Sequence, residues 1–274
     1  MNRHAAFNLA EVFLFSISIT VSANWSTTYT LNEYMRIYDF PEQCIDYQQT
    51  FPENTVTTEH LKLTEDGSEL PYQLSEVTEQ DGYLVSARIH FRTSLEMAQR
   101  REFVLSHDES YTADFTDMVR IADADMSTHT ATIQANEQQI QVPWGTWSPN
   151  TAFDEVPAPI IKLSRTPGSW IGNGSLIGSA EVNDIAAVVL DEGPLFVRYQ
   201  IRYQFSGGGE YRVVLTVRHN ETYVTVDEYM ANINGDLRFR FSYKDGVDPD
   251  QRLAMRMNSY TKYSGAYDSD AENG

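Results

Sequence analysis

The sequence predicts an all-β protein built of antiparallel β-sandwich modules, two in tandem. Three observations carry that expectation. Apolar and polar residues alternate with a period of two over many short runs, as in "YLVSARIHF" and "DLRFRFSY". Turn residues punctuate those runs at close intervals: "EDG" at 65–67, "QDG" at 80–82, "SGGG" at 206–209 and "NG" at 234–235. No run sustains an amphipathic helix of three turns, and "SLEMAQRREF" (94–103) has room for one or two turns at most.

The totals agree. The 274 residues suit two domains or one large sandwich, and 41% hydrophobic with 22% charged residues is a globular composition. The 16 Tyr, 13 Phe and 4 Trp favour strands. A formal net charge of −19 disfavours nucleic acid and anionic membranes as partners, since both select a basic surface. The single cysteine, Cys44, excludes an intrachain disulfide and any cysteine-based zinc cluster. It reads as a small, buried apolar residue.

Along the chain, "MNRHAAFNLAEVFLFSISITVSANW" opens with Arg3 and His4, continues with an apolar run from Val12 to Val21, and reaches "VSA" at Ala23. That order is the pattern of a secretory signal, so residues 1–23 are expected to be a signal peptide and the protein to be exported to the periplasm or cell exterior. The apolar run is shorter than the ~20 residues a membrane-spanning helix needs, and no other span is expected. A first β-domain is expected over residues 24–110 and a β-sandwich domain over 111–274. The acidic stretch "SHDESYTADFTDM" separates them, and the boundary is expected between about Ser106 and Val119. In the first domain Val85, Ala87, Ile89 and Phe91 should share a buried face. In the second, "HTATIQANEQQIQV" reads as two runs about "ANEQ". The Trp- and Pro-rich stretch "VPWGTWSPNTAFDEVPAPI" has no regular pattern, and such a stretch inside a domain covers or contacts something.

The most regular segment is "PLFVRYQIRYQFSGGGEYRVVLTV", from Pro194 to Val217. Its apolar positions 199, 201, 203 and 205 are odd, and so are Tyr211, Val213, Leu215 and Val217 after the glycines. Directly paired residues share a face, so the loop must hold an odd number of residues. Three (206–208) and five (206–210) both satisfy this. In the next hairpin Leu215 and Val217 should oppose Val224 and Val226, an even loop, most simply His219 to Thr222. The opposite face carries Arg198, Arg202, Arg212 and Arg218. A three-residue loop sets Arg202 against Arg212, and a five-residue loop sets Arg198 against Arg218. Like charges so placed require compensation. Either carboxylates of neighbouring strands supply it, or this basic face receives an anionic sugar or an acidic domain.

Chemical motifs are scarce. The sequence has no phosphate-binding loop, zinc-protease helix, nucleophile elbow or dinucleotide fingerprint. His4, His60, His90, His107, His129 and His219 are scattered without metal-ligand spacing. Asp123 with Asp125, and Asp245 with Asp248 and Asp250, do not complete a calcium loop. Asp227 and Glu228 are adjacent on a strand, so they face opposite ways and cannot act as a carboxylate pair. No catalytic residue, metal or cofactor is therefore expected within this chain. Trp144, Trp147 and Trp170 are the candidates for stacking on sugar rings, the alternative being that they plug the ends of the sandwich.

Two groups of segments carry a family resemblance. "LKLTEDGSELPYQL", "DGYLVSARIHFRTSL" and "RREFVLS" resemble the opening β-domain of large exported polysaccharide-degrading proteins. "PAPIIKLSR", "SWIGNGSLIG" and "VVLDEGPLFVRYQIRYQFSGGGEYRVVLTVRHNETYVTVDEYM" resemble the β-sandwich that follows it. The nearest group is the exo-rhamnogalacturonan lyase-like proteins. That resemblance implies an N-terminal β-domain and a central sandwich preceding a helical toroid that bears the active site. It carries over no functional residue. On it, the chain is expected to be the non-catalytic N-terminal portion of a secreted polysaccharide lyase or glycoside hydrolase, truncated after "SYTKYSGAYDSDAENG". Its expected partners are a polysaccharide or the missing catalytic domain. The alternative is a free-standing carbohydrate-binding or cell-surface interaction module.

Overall fold

Period-two patterning does produce strands almost everywhere. The computed structural model describes residues 25–34, 39–136, 138–165, 169–233, 237–243, 251–256 and 259–264, the last two by backbone alone. The expected signal peptide, the acidic residues Asp245, Asp248 and Asp250, and the end of the chain lie outside the described residues.

Seven strands make the first module: β1 (Ser26–Asn32), β2 (Phe40–Thr50), β3 (Leu61–Glu65), β4 (Ser68–Glu69), β5 (Tyr72–Gln80), β6 (Tyr83–Leu95) and β7 (Arg100–His107). They form one sheet in the order β1-β7-β3-β4 and another in the order β2-β6-β5. Leu61, Leu63, Phe103 and Leu105 from the first sheet meet Leu84, Ala87, Ile89 and Phe91 from the second in one core. The face alternation expected of β6 holds from Ala87 onward and breaks before it. Leu84 is buried and Val85 exposed, because the register against β5 shifts between Thr78 and Glu79. This bulge turns Val85 outward. Residues 94–103, with room for one or two helical turns at most, form none: β6 and β7 run through most of the segment, and residues 96–99 close the hairpin.

The second module has β8 (Arg120–Asp125), β9 (Thr130–Gln134), β10 (Gln139–Pro143), β11 (Gly145–Trp147), β12 (Thr151–Ala152), β13 (Lys162–Ser164) and β14 (Trp170–Ile177). It continues with β15 (Glu181–Glu192), β16 (Phe196–Phe205), β17 (Glu210–Arg218), β18 (Val224–Ala231) and β19 (Arg238–Tyr243). One sheet runs β19-β14-β13-β10-β9-β8, and the other β11-β15-β16-β17-β18 with β12 also on β15. A separate hairpin, β20 (Gln251–Arg256) and β21 (Ser259–Ser264), completes the described strands. Every strand pairing is antiparallel. Among the described residues no sheet mixes strands up to His107 with strands from Arg120 onward, and each sheet pair encloses its own core.

Both hairpin loops obey parity. Arg202 opposes Arg212 and Gln204 opposes Glu210, so the glycine loop is the three-residue one, 206–208, with Gly208 at φ +82°. Val217 opposes Val224, so an even number of residues, 218–223, lies between the last paired positions of the next hairpin. The irregular stretch after Val142 covers the sandwich. Its two short strands β11 and β12 dock on β15, and a single 3-10 turn (Phe153–Glu155) inserts Phe153 among Tyr203, Phe205 and Tyr211. Three buried tyrosines keep their hydroxyls paired: Tyr199 donates to the Pro143 carbonyl (2.6 Å), Tyr203 to that of Pro157 (2.8 Å) and Tyr211 to Glu228 (2.5 Å).

Candidate functional site

The even-numbered residues of β16 and β17 form the outer face of the β15–β18 sheet, because their odd neighbours fill the core. Three of the four arginines on that face have carboxylate partners. Arg198 pairs with Asp191 across the strands at 2.9 Å, and Arg218 with Glu221 at 3.5 Å. Arg212 lies 3.7 Å from Glu210 and places its guanidinium 4.7 Å from the centre of the Tyr229 ring. Arg202, directly opposite Arg212 on one side and Ala186 on the other, has no ion-pair partner among the described residues.

One end of the face is not open. Phe196, an even-numbered residue, is buried because the first module packs on it. Gln73 of β5 reaches across with both ends of its amide: Oε1 accepts from the backbone N–H of Leu195 (3.0 Å) and Phe196 (2.9 Å), and Nε2 donates to the Phe196 carbonyl (3.0 Å). Gly193 makes room for it, since a Cβ there would sit 2.8 Å from the Gln73 amide carbon. Beside this clamp the His90 ring meets the Phe196 ring edge-on at 4.7 Å, and Arg92 donates to the His219 carbonyl at 2.6 Å. Arg92 also lies 3.2 Å from Glu42 and 3.9 Å from Glu221, which ties Arg218 into the same network. The two modules are therefore joined by a buried polar lock. None of its principal members, Gln73, Arg92 and Glu221, stands out in the sequence. The "EGP" turn at Glu192–Pro194 is the nearest thing to a signal.

Burial depresses the His90 pKa to about 4, and Nε2 sits 2.7 Å from Ser75 Oγ. The folded state thus binds a proton less readily than an unfolded chain, whose histidine titrates near 6.5. Stability contributed by neutral His90 is full above pH ~6.5 and is lost as the pH falls toward 4. His90→Gln is expected to flatten that part of the decline, which melting temperatures across pH 7 to 4.5 measure. A decline of unchanged steepness in the variant would assign it to other groups. Cys44 lies in the same junction, and burial raises its thiol to about 11, so it stays protonated and unreactive at neutral pH.

The tryptophans occupy two ends of the second module. Trp144 stacks parallel to Tyr199 with centroids 6.3 Å apart, and Trp147 stacks on His129 at 4.3 Å. Both pack against the core and are half-buried. Trp170 sits opposite Ser164, which pairs with Gln139 at the far end of β10 from Trp144. The three do not share one platform. Of the acidic candidates, Asp125 accepts from the backbone and hydroxyl of Ser127, both at 2.7 Å, within its own turn. Asp227 is exposed on the outer face, and Glu228 on the inner face accepts from Tyr211.

Among the described residues no helix is long and apolar enough to cross a membrane. Comparison with known families and with curated protein sequences finds no match for this chain.

Proposed function

We propose that this chain is the non-catalytic, β-rich N-terminal part of an exported polysaccharide-degrading protein, and that its work is to hold and present surfaces. The observation that supports the reading best is the lock at Gln73. It makes one rigid support of two sandwiches, whereas tandem binding modules without such a contact move independently. The surfaces so held are the arginine face and the Trp147–His129 stack. The test is an assay of the purified protein on pectic and uronic-acid polysaccharides, paired with affinity electrophoresis on the same polymers. No release of unsaturated or reducing ends is expected, with retardation that Trp147→Ala reduces. Robust turnover abolished by a single Asp or Glu substitution would overturn the reading. So would migration unaffected by every polymer tested.

A further inference from the structure

The uncovered part of the outer face continues directly from the inter-module junction and has the composition of a protein contact. Val188 pairs with Gln200 beside the arginines, Leu190 lies at the adjoining register shift, and Tyr229 stands opposite Arg212. Exposed aliphatic groups around Arg and Tyr, with no lysine among these residues, are what protein interfaces select. A cross-strand arginine pair with only one intramolecular carboxylate is a place for an incoming acidic group.

The complementary surface is present on the same molecule. The tip of the β5–β6 hairpin exposes Val77, Tyr83 and Val85, and Glu76 and Asp81 flank them. Tyr83 and Val85 point away from the core side taken by Leu84. Glu76 is 3.3 Å from Arg88 and Asp81 occupies the turn itself, while Glu79, paired with Leu84, lies on the core side and accepts from Thr58. The six apolar side chains of the two patches are each between 36% and 49% exposed. The tip lies at the opposite end of the hairpin from Gln73 and His90, so the junction does not occupy it.

We propose that the open part of the β15–β18 face binds the β5–β6 tip of a second copy of this chain, head to tail. Such a contact uses two different patches, so it propagates unless its rotation closes a ring. With a net charge of −19, copies repel one another at long range. Salt at ~0.1 M shortens that repulsion to about 10 Å, and more salt then weakens the arginine–carboxylate contact. Association should accordingly be strongest at intermediate ionic strength.

Sedimentation velocity on the full chain tests this directly. The expected result is concentration-dependent association above the 31.2 kDa monomer. It should weaken roughly tenfold or more in Arg202→Glu/Arg212→Glu and, separately, in Glu76→Lys/Asp81→Lys. An equimolar mixture of the two charge-reversed variants should associate again, because one intact combination of opposite charges returns; that recovery would also show both variants folded. A monomer at every concentration and salt would overturn the proposal. Association indifferent to either double substitution, or a mixture that stays monomeric, would overturn it as well.

Discussion

The protein is expected to melt in one thermal transition, and Gln73→Leu to melt in two. Leucine is similar in volume but offers neither the acceptor for the Leu195 and Phe196 N–H groups nor the donor for the Phe196 carbonyl. Each buried backbone group left unpaired costs about 1–3 kcal/mol, so the docking free energy of the modules should fall by about 3 kcal/mol or more. The two cores share no sheet, so each sandwich should retain its own packing. Scanning calorimetry would register this as loss of cooperativity, and small-angle scattering as a broader distribution of shapes. A variant melting in one transition at an unchanged temperature would show that Arg92, His90 and the surrounding contacts hold the junction unaided.

Gly174→Ala should be the most damaging single substitution in the second module. Gly174 lies in β14 opposite Phe241, and its N–H donates to the Ile161 carbonyl at 2.8 Å. The covering segment crosses so closely that a Cβ at Gly174 would lie 1.8 Å from the Ile160 carbonyl oxygen. Gly174 does not have a positive φ, so the obstruction is steric, and backbone on both sides leaves little that can yield. Displacing that segment would also disturb Ala158 and Val156, both in the core. We expect a loss of ~4 kcal/mol or more, or failure to fold, measured by chemical denaturation. Gly207→Ala, with nothing within 4 Å of its Cβ, is the matched control and should change stability little.

Strand existence and hairpin register were legible because both follow from a period of two. The odd–odd pattern around "SGGG" allowed only odd loops, and the register Arg202–Arg212 is one of the two it allowed. Val85 escaped the same logic because a bulge inserts one residue, which inverts parity locally without altering composition. The covering stretch was recognisable as a cover but not as strands, since β11 and β12 span only three and two residues. The arginine row was visible as a row. What offsets its charge was not, because Asp191 reaches Arg198 through a register shift and Glu221 comes from a loop. The junction was illegible for a simpler reason. Gln73 and Leu195 are 122 positions apart, and nothing local marks a polar strand residue that turns toward another module.

That separation also orders events during synthesis. The last strand of the first module ends at His107 and Phe115 still packs on its core, whereas the backbone groups that Gln73 holds belong to residues about eighty positions after that. Domains of a nascent chain fold as units from the N-terminus. The first sandwich can therefore close while its docking surface still faces solvent. That surface is unusually safe to expose, since Gln73, His90, Arg92 and Glu42 are all polar and water can satisfy them until β16 arrives. An apolar junction would have left a sticky half-built protein on the ribosome for the time needed to translate those residues. A polar lock keeps the waiting module soluble and then becomes specific only when Gly193 and Phe196 are in place to receive it.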